Sequence, residues 1–250
     1  MRKIAVSISK GGTGKTTTAV NLSAGLARAG YKVLLIDTDT QSQAGSALGV
    51  DLQTGLAEVL SEDLPPDQAV SEVRERLWLL SGGSALAGAK RNITRQDYGA
   101  EHTLGRALSP LEGLYDYTII DTAPGWDALT INVLFYAQEV LSPVSLEALT
   151  IRGLASFVKR LQDIQEYNKD LKLSYILPTF LDYRVRKSSE IMKQIETYFP
   201  EVLCKPIRYN VKVSEASGRG QSIFEYAPTS PGAEDYQALT DKVVNNGRSR

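Results

Sequence analysis

The stretch Ser9-Lys10-Gly11-Gly12-Thr13-Gly14-Lys15-Thr16-Thr17 decides how the rest of the sequence is interpreted. A short apolar run, Ile4 to Ile8, precedes it, and apolar residues recur after it at helical spacing. Glycine allows a tight turn with backbone N–H groups pointing inward, and the following helix directs its positive dipole end to the same point. The stretch therefore predicts a strand, a phosphate-binding loop and a helix.

The side chains of this loop predict how it holds a nucleotide. Lys15 can reach the β- and γ-phosphates, and Thr16 supplies a hydroxyl for Mg²⁺. We therefore expect ATP and Mg²⁺ as cofactors, with nucleotide contacts from Gly11, Gly12, Thr13, Gly14, Lys15, Thr16 and Thr17. The alternative is a glycine-rich turn that carries two solvated lysines.

Two later apolar runs end in acidic residues. Asp37 follows the run 32–36, and Asp121 follows the run 117–120. Because parallel strands bring their carboxyl ends to one edge of a sheet, we expect Asp121 to support Mg²⁺ together with Thr16. The alternative for Asp121 is a turn or helix-capping aspartate. Asp37 and Asp39 point the same way on an extended chain, so either could face the γ-phosphate.

Strand and helix patterns alternate along most of the chain, which predicts an α/β fold: a doubly wound, mostly parallel sheet with helices on both faces. No linker or repeat divides it, so we expect one domain over residues 1–250. The least regular region is residues 38–111. There we expect a loop at 38–49, short helices at Gly55–Leu60 and Asp67–Arg74, a strand at Leu77–Ser81 and a longer helix at Gln96–Leu111. Later in the chain we expect a helix near Leu146–Glu166 and a short strand near Val202–Lys205.

Composition limits the other possibilities. The chain has 28 Lys and Arg against 29 Asp and Glu, so only local patches could attract nucleic acid. The single cysteine, Cys204, excludes an intramolecular disulfide, and the single histidine, His102, has no ligand cluster at metal-binding spacing. No apolar segment approaches the roughly 18 residues of a spanning helix, and no signal peptide is recognised, so we expect a cytoplasmic protein without a membrane partner.

The run from Lys10 to Thr17 departs from the ordinary P-loop pattern, which has glycine where Ser9 stands. It resembles the deviant Walker A motif of the ParA/MinD family of P-loop ATPases. The resemblance implies that Lys10 crosses a dimer interface to the nucleotide of the partner. The run Asp37-Thr38-Asp39-Thr40-Gln41 resembles the family's Asp-x-Asp-x-Gln, with Thr40 in place of the usual proline. This implies that Asp39 orients the attacking water and that Thr16, Asp39 and Asp121 surround Mg²⁺, partly through water.

Two further motifs extend the resemblance over most of the chain. The run from Asp121 to Asn132 is similar to the family's Asp-x-Pro-Pro-Ser-Leu-x-x-Leu-Thr-x-Asn, and Asn210 to Ala216 is similar to Asn-Val-Arg-Leu-Ser-Glu-Ala. Before that asparagine the family has Ile-Pro-Arg near the adenine, whereas this chain has Ile207-Arg208-Tyr209. Asn210 is the candidate adenine contact, and a turn residue is its alternative reading.

Subgroups of the family differ in what they carry in addition. The C-terminal run from Lys242 to Arg250 is polar, unlike the membrane-binding helix of MinD-like proteins, and one cysteine cannot build an iron–sulfur site. The glycine loop begins near residue 9, which leaves no room for an N-terminal DNA-binding extension. We therefore expect the small ParA or Soj-like type.

For that type, the resemblance implies an ATP-dependent homodimer that binds DNA nonspecifically and associates with the nucleoid. A ParB-like or other adaptor would stimulate ATP hydrolysis, so that plasmid, chromosome or other large cargo is segregated or positioned. The alternative is a regulatory or assembly ATPase that uses the same switch on a protein surface without DNA.

A local excess of basic residues supports the DNA hypothesis. Between Tyr183 and Arg219 the chain has eight basic side chains against four acidic ones. The candidates for phosphate contact are Arg184, Arg186, Lys187, Lys212 and Arg219. The alternative is an ordinary solvated helix face.

Overall fold

The computed structural model describes residues 1–147 and 150–248, and within these ranges seven strands form one sheet. The strands are β1 (Arg2–Val6), β2 (Val33–Asp37), β3 (Ser71–Arg74), β4 (Leu77–Leu80), β5 (Tyr117–Asp121), β6 (Glu139–Ser145) and β7 (Lys172–Thr179). Their order across the sheet is β3-β4-β2-β5-β1-β6-β7, and every pair is parallel except β3 with β4.

Helices connect the strands and cover both faces of the sheet. They are α1 (Lys15–Arg28), α2 (Gln43–Ala47), α3 (Leu56–Leu60), α4 (Pro66–Ala69), α5 (Leu86–Thr94), α6 (Thr103–Ala107), α7 (Ala128–Tyr136), α8 (Thr150–Gln165), α9 (Arg186–Tyr198), α10 (Val211–Gly218), α11 (Ile223–Tyr226) and α12 (Pro231–Arg248). Short 3-10 turns lie at Ala100–His102 and Ser109–Leu111. None of the helices in the described residues is long and apolar enough to span a membrane.

Two apolar clusters lie on opposite sides of the sheet, because successive side chains of a strand point to opposite faces. In β1, Ile4 and Val6 belong to the cluster that includes α1 and α12, whereas Ala5 belongs to the other. All five residues of β2 and of β5 are buried, as expected for central strands covered on both faces. The expected doubly wound, mostly parallel α/β sheet is confirmed.

The expected helix at Asp67–Arg74 is wrong. A helix of only four residues, α4, ends at Ala69, and Ser71–Arg74 then forms the edge strand β3, paired antiparallel with β4. No residue of this strand is fully buried, and its sequence does not alternate between apolar and polar residues, which is the pattern that predicts a strand. Its conformation depends on pairing with β4, which the local sequence does not reveal.

The expected long helix at Gln96–Leu111 is also wrong. Helix α5 lies earlier, and residues 96–111 form short helical turns after Gly99, whose φ is +67°. Asn132 of α7 explains how this broken backbone is satisfied, since its amide accepts from the Leu104 N–H and donates to the Ala100 carbonyl. Asn132 lies about thirty residues along the chain from the backbone that it contacts, so no local sequence pattern predicts the contact.

Three smaller expectations changed. The loop at 38–49 contains α2, and the strand expected at Val202–Lys205 is a single bridge between Ile176 and Leu203. The helix expected from Leu146 to Glu166 begins, as described, at Thr150, and residues 148 and 149 lie outside the described residues.

Candidate active site

The glycine loop joins β1 to α1 and is held from two sides. The Thr179 hydroxyl at the end of β7 donates to the Thr13 carbonyl at 3.0 Å. On the other side, the Gly125 N–H after β5 donates to the Ser9 carbonyl at 3.0 Å. Gly14, directly before α1, has φ of +84°, a conformation that other residues rarely adopt. These contacts fix the loop at the positive end of α1, where an anion is favoured.

Lys15 begins α1 and is 7% exposed. Its ammonium donates to the Lys10 carbonyl at 3.1 Å, so the side chain folds over its own loop. Burial lowers the pKa of Lys15, and the carboxylates of Asp121 and Asp39 partly oppose that effect. A phosphate in the loop would supply the negative charge that this buried cation lacks.

Two threonines hold the strand ends of the site together. Asp37 and Asp121 lie directly opposite each other on the neighbouring strands β2 and β5. The Thr38 hydroxyl donates to the Asp121 carbonyl at 2.8 Å, and the Thr122 hydroxyl donates to the Val6 carbonyl at 2.9 Å. The sequence signal for this arrangement is the repeated tripeptide Ile-Asp-Thr, which the sequence reasoning missed.

Asp37 holds the backbone of the site. One carboxylate oxygen accepts from the Asp39 N–H at 2.8 Å, and the other accepts from the Ala44 N–H at 3.0 Å, at the start of α2. Burial raises the pKa of Asp37 to about 6, although the two backbone hydrogen bonds oppose the shift. Both oxygens are engaged, so Asp37 is not placed to reach a γ-phosphate.

Asp39 is the accessible acid of the pair. It is half-buried and lines a cleft of about 460 Å³ together with Gly11, Lys15 and Thr16. The Gln41 N–H donates to its Oδ1 at 3.1 Å. Sequence reasoning missed Gly82, which lies beneath this loop: a Cβ there would be 3.0 Å from Asp37 Oδ1 and would overlap the Asp39 carbonyl.

Asp121 has an unusual environment. It is fully buried, and among the described residues neither carboxylate oxygen is in hydrogen-bond geometry with another group, although the Thr16 hydroxyl is close enough to lower its pKa. Burial and the nearby Asp37 raise the pKa of Asp121 well above its ordinary value, which the neighbouring Thr16 hydroxyl and Lys15 ammonium only partly offset. Buried acceptors without partners fit a hydrated Mg²⁺, which takes few protein ligands in nucleotide sites. No group of three or more His, Cys, Asp or Glu side chains that could hold a metal ion by themselves is found in the described part of the chain.

Lys10 contacts side chains at and just after the end of β6. Its ammonium lies 2.9 Å from Glu147 Oε2 and 3.4 Å from Ser145 Oγ, beyond the end of β6. The lysine and glutamate side chains are 44% and 68% exposed, so this ion pair is weak and exchangeable.

A second cleft, of about 400 Å³, lies beside the glycine loop and is lined by Thr17, Phe180, Tyr209 and Asn210. Asn210 caps α10, since its side-chain oxygen accepts from the Lys212 N–H at 2.9 Å. Asn210 is therefore both a helix cap and a residue that lines the second cleft.

Arg208 stands at the proline position of the family pattern, and the structure explains this departure. Its backbone N–H donates to Asp235 Oδ2 at 2.9 Å, a hydrogen bond that proline cannot make. Its guanidinium also bonds both oxygens of the buried Asp235. Both the backbone N–H and the side chain of Arg208 are therefore bonded to α12.

The five candidate DNA-contact residues are all exposed. Three have intrachain partners, namely Arg184 with Asp182, Arg186 with Glu190 and Lys212 with Glu215. For Lys187 and Arg219, no ion pair is found within residues 1–147 and 150–248. Lys212 lies in the first turn of α10 and Arg219 directly follows that helix, so these two bracket one helix rather than a loop.

Known proteins are similar to this chain in both sequence and fold. Residues 1–173 match the family described as "AAA domain". The chain is 36% identical to the sporulation initiation inhibitor protein Soj of Bacillus subtilis, over 98% of each chain. It is 37% identical to the chromosome partitioning protein ParA of Myxococcus xanthus, over 97% of this chain and 88% of that protein. The chain belongs to the Soj/ParA family of ATPases.

Solved structures share the fold of this chain. The cobyrinic acid a,c-diamide synthase of Mycobacterium smegmatis, solved with an ATP analogue and magnesium, superposes with a TM-score of 0.86 at 33% identity, over 100% of this chain and 96% of that chain. The septum site-determining protein MinD of Pyrococcus horikoshii shares the fold with a TM-score of 0.81 over 97% and 95% of the two chains, at 24% identity.

The environment of Asp121 predicts opposite effects on stability and binding. Asp121→Asn removes a buried charge, so we expect the nucleotide-free protein to gain about 1 kcal/mol at pH 8, a rise in Tm of roughly 2–4 °C. Because the folded-state pKa is raised, the wild-type carboxyl takes up its proton as the pH falls, and the gain should shrink toward pH 5. The same variant should lose the Mg²⁺-dependent part of its ATP affinity.

Thermal unfolding at both pH values checks the first effect, with exposed Asp51→Asn as the matched control. An Asp121→Asn protein that is less stable at pH 8, or that keeps the full effect of Mg²⁺, contradicts this account.

Proposed function

We propose that this protein is an ATP-dependent dimerising switch that hydrolyses ATP and, as a dimer, binds DNA without sequence specificity. One observation carries the proposal: Lys15, Thr16 and Asp39 line one cleft, beside a buried Asp121 whose oxygens lack partners. A triphosphate with Mg²⁺ is the ligand that complements a buried lysine, a threonine hydroxyl and two carboxylates at one helix N-terminus.

Within this site we assign one role to each side chain. Lys15 neutralises the β- and γ-phosphates, Thr16 is a ligand of Mg²⁺, and Asp121 supports that ion through water. Mg²⁺ would neutralise charge on the transferred phosphoryl group. Asp39 orients the attacking water, since it is accessible at the cleft while Asp37 holds its backbone. The loop residues Gly11, Gly12, Thr13, Gly14 and Thr17 bind the phosphates, and Asn210 contacts the adenine.

Dimerisation is supported by the surface around the clefts. The Lys10 ammonium is held by an exposed ion pair with Glu147, which it can exchange for the nucleotide of a partner. Phe180, Tyr209 and Val211 line the second cleft and remain 43%, 61% and 55% exposed. A second copy that closes over the nucleotide would bury these apolar side chains, which a monomer leaves in water.

DNA binding is supported by the basic surface of α9, α10 and their flanking loops. The ion pairs of Arg184, Arg186 and Lys212 are exposed, so phosphates can compete with the carboxylates at little cost. Dimerisation would double the number of phosphates neutralised, and the salt-dependent part of the affinity grows with that number. ATP would thereby control DNA binding without any base-reading element.

The names of the relatives suggest the biological setting. Soj of Thermus thermophilus, 37% identical over 98% of this chain, is named a chromosome-partitioning ATPase. We propose the same class of work here: nucleoid association in the cytoplasm, stimulation by a ParB-like or other adaptor, and movement of plasmid, chromosome or other large cargo. The alternative remains a regulatory ATPase that acts on a protein surface, and the DNA experiment below discriminates between the two.

The dimer proposal predicts different behaviour for two variants. Asp39→Ala should bind ATP and accumulate as a dimer, because the water is no longer oriented while the phosphate contacts remain. Adding Lys10→Ala to that variant should leave it a nucleotide-bound monomer. Sedimentation velocity with ATP and with ADP measures both states. The trans role of Lys10 is refuted if the double variant still forms an ATP-dependent dimer.

The DNA proposal predicts retention on DNA-cellulose with ATP but not with ADP, weakening steeply as salt is added. The triple variant Arg184/Arg186/Lys187→Ala should lose retention while it still hydrolyses ATP. A matched triple variant, Lys159/Arg160/Lys169→Ala, removes the same charge elsewhere and should retain binding. If wild-type protein is not retained with ATP, the alternative function is favoured; if the first triple variant binds normally, the DNA surface lies elsewhere.

A further inference from the structure

Arg74 lies on the edge strand β3, in a segment that carries no nucleotide-binding motif. Its Nη2 donates to two backbone carbonyls at once, Leu48 at 3.1 Å and Gly220 at 3.0 Å. Its Nε donates to Glu225 Oε1 at 2.6 Å. The Leu48 carbonyl ends α2, and Gly220 follows α10, so one guanidinium joins two helices that are far apart in sequence.

Glu225 keeps this guanidinium in place. Although burial opposes it, hydrogen bonds from Arg74 and from the Ser222 N–H hold the pKa of Glu225 below its ordinary value. The Ser222 N–H donates to Glu225 Oε2 at 2.7 Å, which completes a capping box at the start of α11. The carboxylate that orients Arg74 is therefore itself fixed by a helix start.

Two glycines make the second contact between the same helices. Gly49 has φ of +69° and Gly220 has φ of +67°. A Cβ on Gly220 would lie 2.5 Å from the Gly49 Cα, and a Cβ on Gly49 would lie 3.1 Å from the Gly220 Cα. The backbones meet so closely that neither position accepts a side chain without movement.

The near end of α2 belongs to the candidate active site. The Ala44 N–H in its first turn is held by Asp37, and the same carboxylate holds the Asp39 N–H. Helix α2 has only five residues, so its two ends cannot move independently. A displacement at Leu48 and Gly49 is therefore passed to the segment that carries Asp39.

We propose that Arg74 and the Gly49–Gly220 contact position Asp39 for hydrolysis by fixing α2 against α10. This inference rests on the proposed role of Asp39. Arg74 does not line the cleft that holds Lys15, Thr16 and Asp39, so it is a positioning residue. Helix α10 begins at the second cleft and is bracketed by Lys212 and Arg219. A ligand that binds to this helix would therefore affect the position of the segment that carries Asp39 through the same contact.

The test compares turnover with nucleotide affinity. In Gly220→Ala and Arg74→Gln, kcat for Mg-ATP should fall about tenfold or more, since small displacements of reacting groups are costly. The dissociation constant for fluorescent ATP should stay within about twofold, because the glycine loop is untouched. Gly113→Ala is the matched control: its φ of +80° imposes similar backbone strain, but nothing lies within 4 Å of the added Cβ.

Arg74→Lys separates the bridge from the ion pair. Lysine keeps a positive charge near Glu225 but lacks the planar fork that spans two carbonyls, so its kcat should fall as in Arg74→Gln. Full activity of the lysine variant overturns the bridging role. Unchanged kcat in Gly220→Ala and Arg74→Gln, or an equal loss of kcat in Gly113→Ala, overturns the positioning proposal as a whole.

Asp39→Ala, assayed in parallel, keeps the two proposals distinguishable. If that variant hydrolyses ATP normally, the proposed role of Asp39 fails and the inference fails with it. If Asp39→Ala is inactive while Gly220→Ala turns over normally, only the positioning contact is wrong.

Discussion

Negative charge at the carboxyl edge of the sheet is the constraint on which the rest of the site depends. Asp37 and Asp121 are fully buried, face each other across β2 and β5, and share the edge with half-buried Asp39 and one buried lysine. Such a cluster is unfavourable without a compensating cation, because burial raises the pKa of both Asp37 and Asp121 and the neighbouring carboxylates raise them further. The protein tolerates this cost where a charged ligand relieves it, which is typical of functional sites.

The surrounding structure keeps this arrangement in one geometry. Both carboxylate oxygens of Asp37 accept hydrogen bonds from backbone N–H groups, which fixes the conformation of the segment between β2 and α2 that contains Asp39. Thr38 and Thr122 hold the strand ends to their neighbours, and Thr179 holds the glycine loop. Each contact uses a short side chain on a strand or at its end, where position is set by the sheet and not by a flexible loop. The side chains of the site are therefore held in one geometry by the sheet itself.

Sequence reasoning reached the parts of this site that local patterns determine. The glycine loop, the acids that end β2 and β5, and the parallel sheet all follow from apolar runs and turn residues, and the structure places them as expected. Sequence reasoning failed where contacts between residues far apart in the sequence determine the local structure. The broken backbone at 99–111 depends on the amide of Asn132, and the edge strand β3 depends on β4. Gly82 and Arg74 lie in stretches without a motif, and only the folded chain brings them beneath Asp39 and between α2 and α10.

We propose that the loop from Lys10 to Thr17 binds the phosphates of ATP through the buried ammonium of Lys15. The most direct measurement is a titration of wild-type protein and Lys15→Ala with fluorescent ATP and ADP in the presence of Mg²⁺. We expect Lys15→Ala to lose at least about a hundredfold in affinity for both nucleotides, equivalent to about 2.7 kcal/mol. Wild-type affinity in that variant would contradict the account.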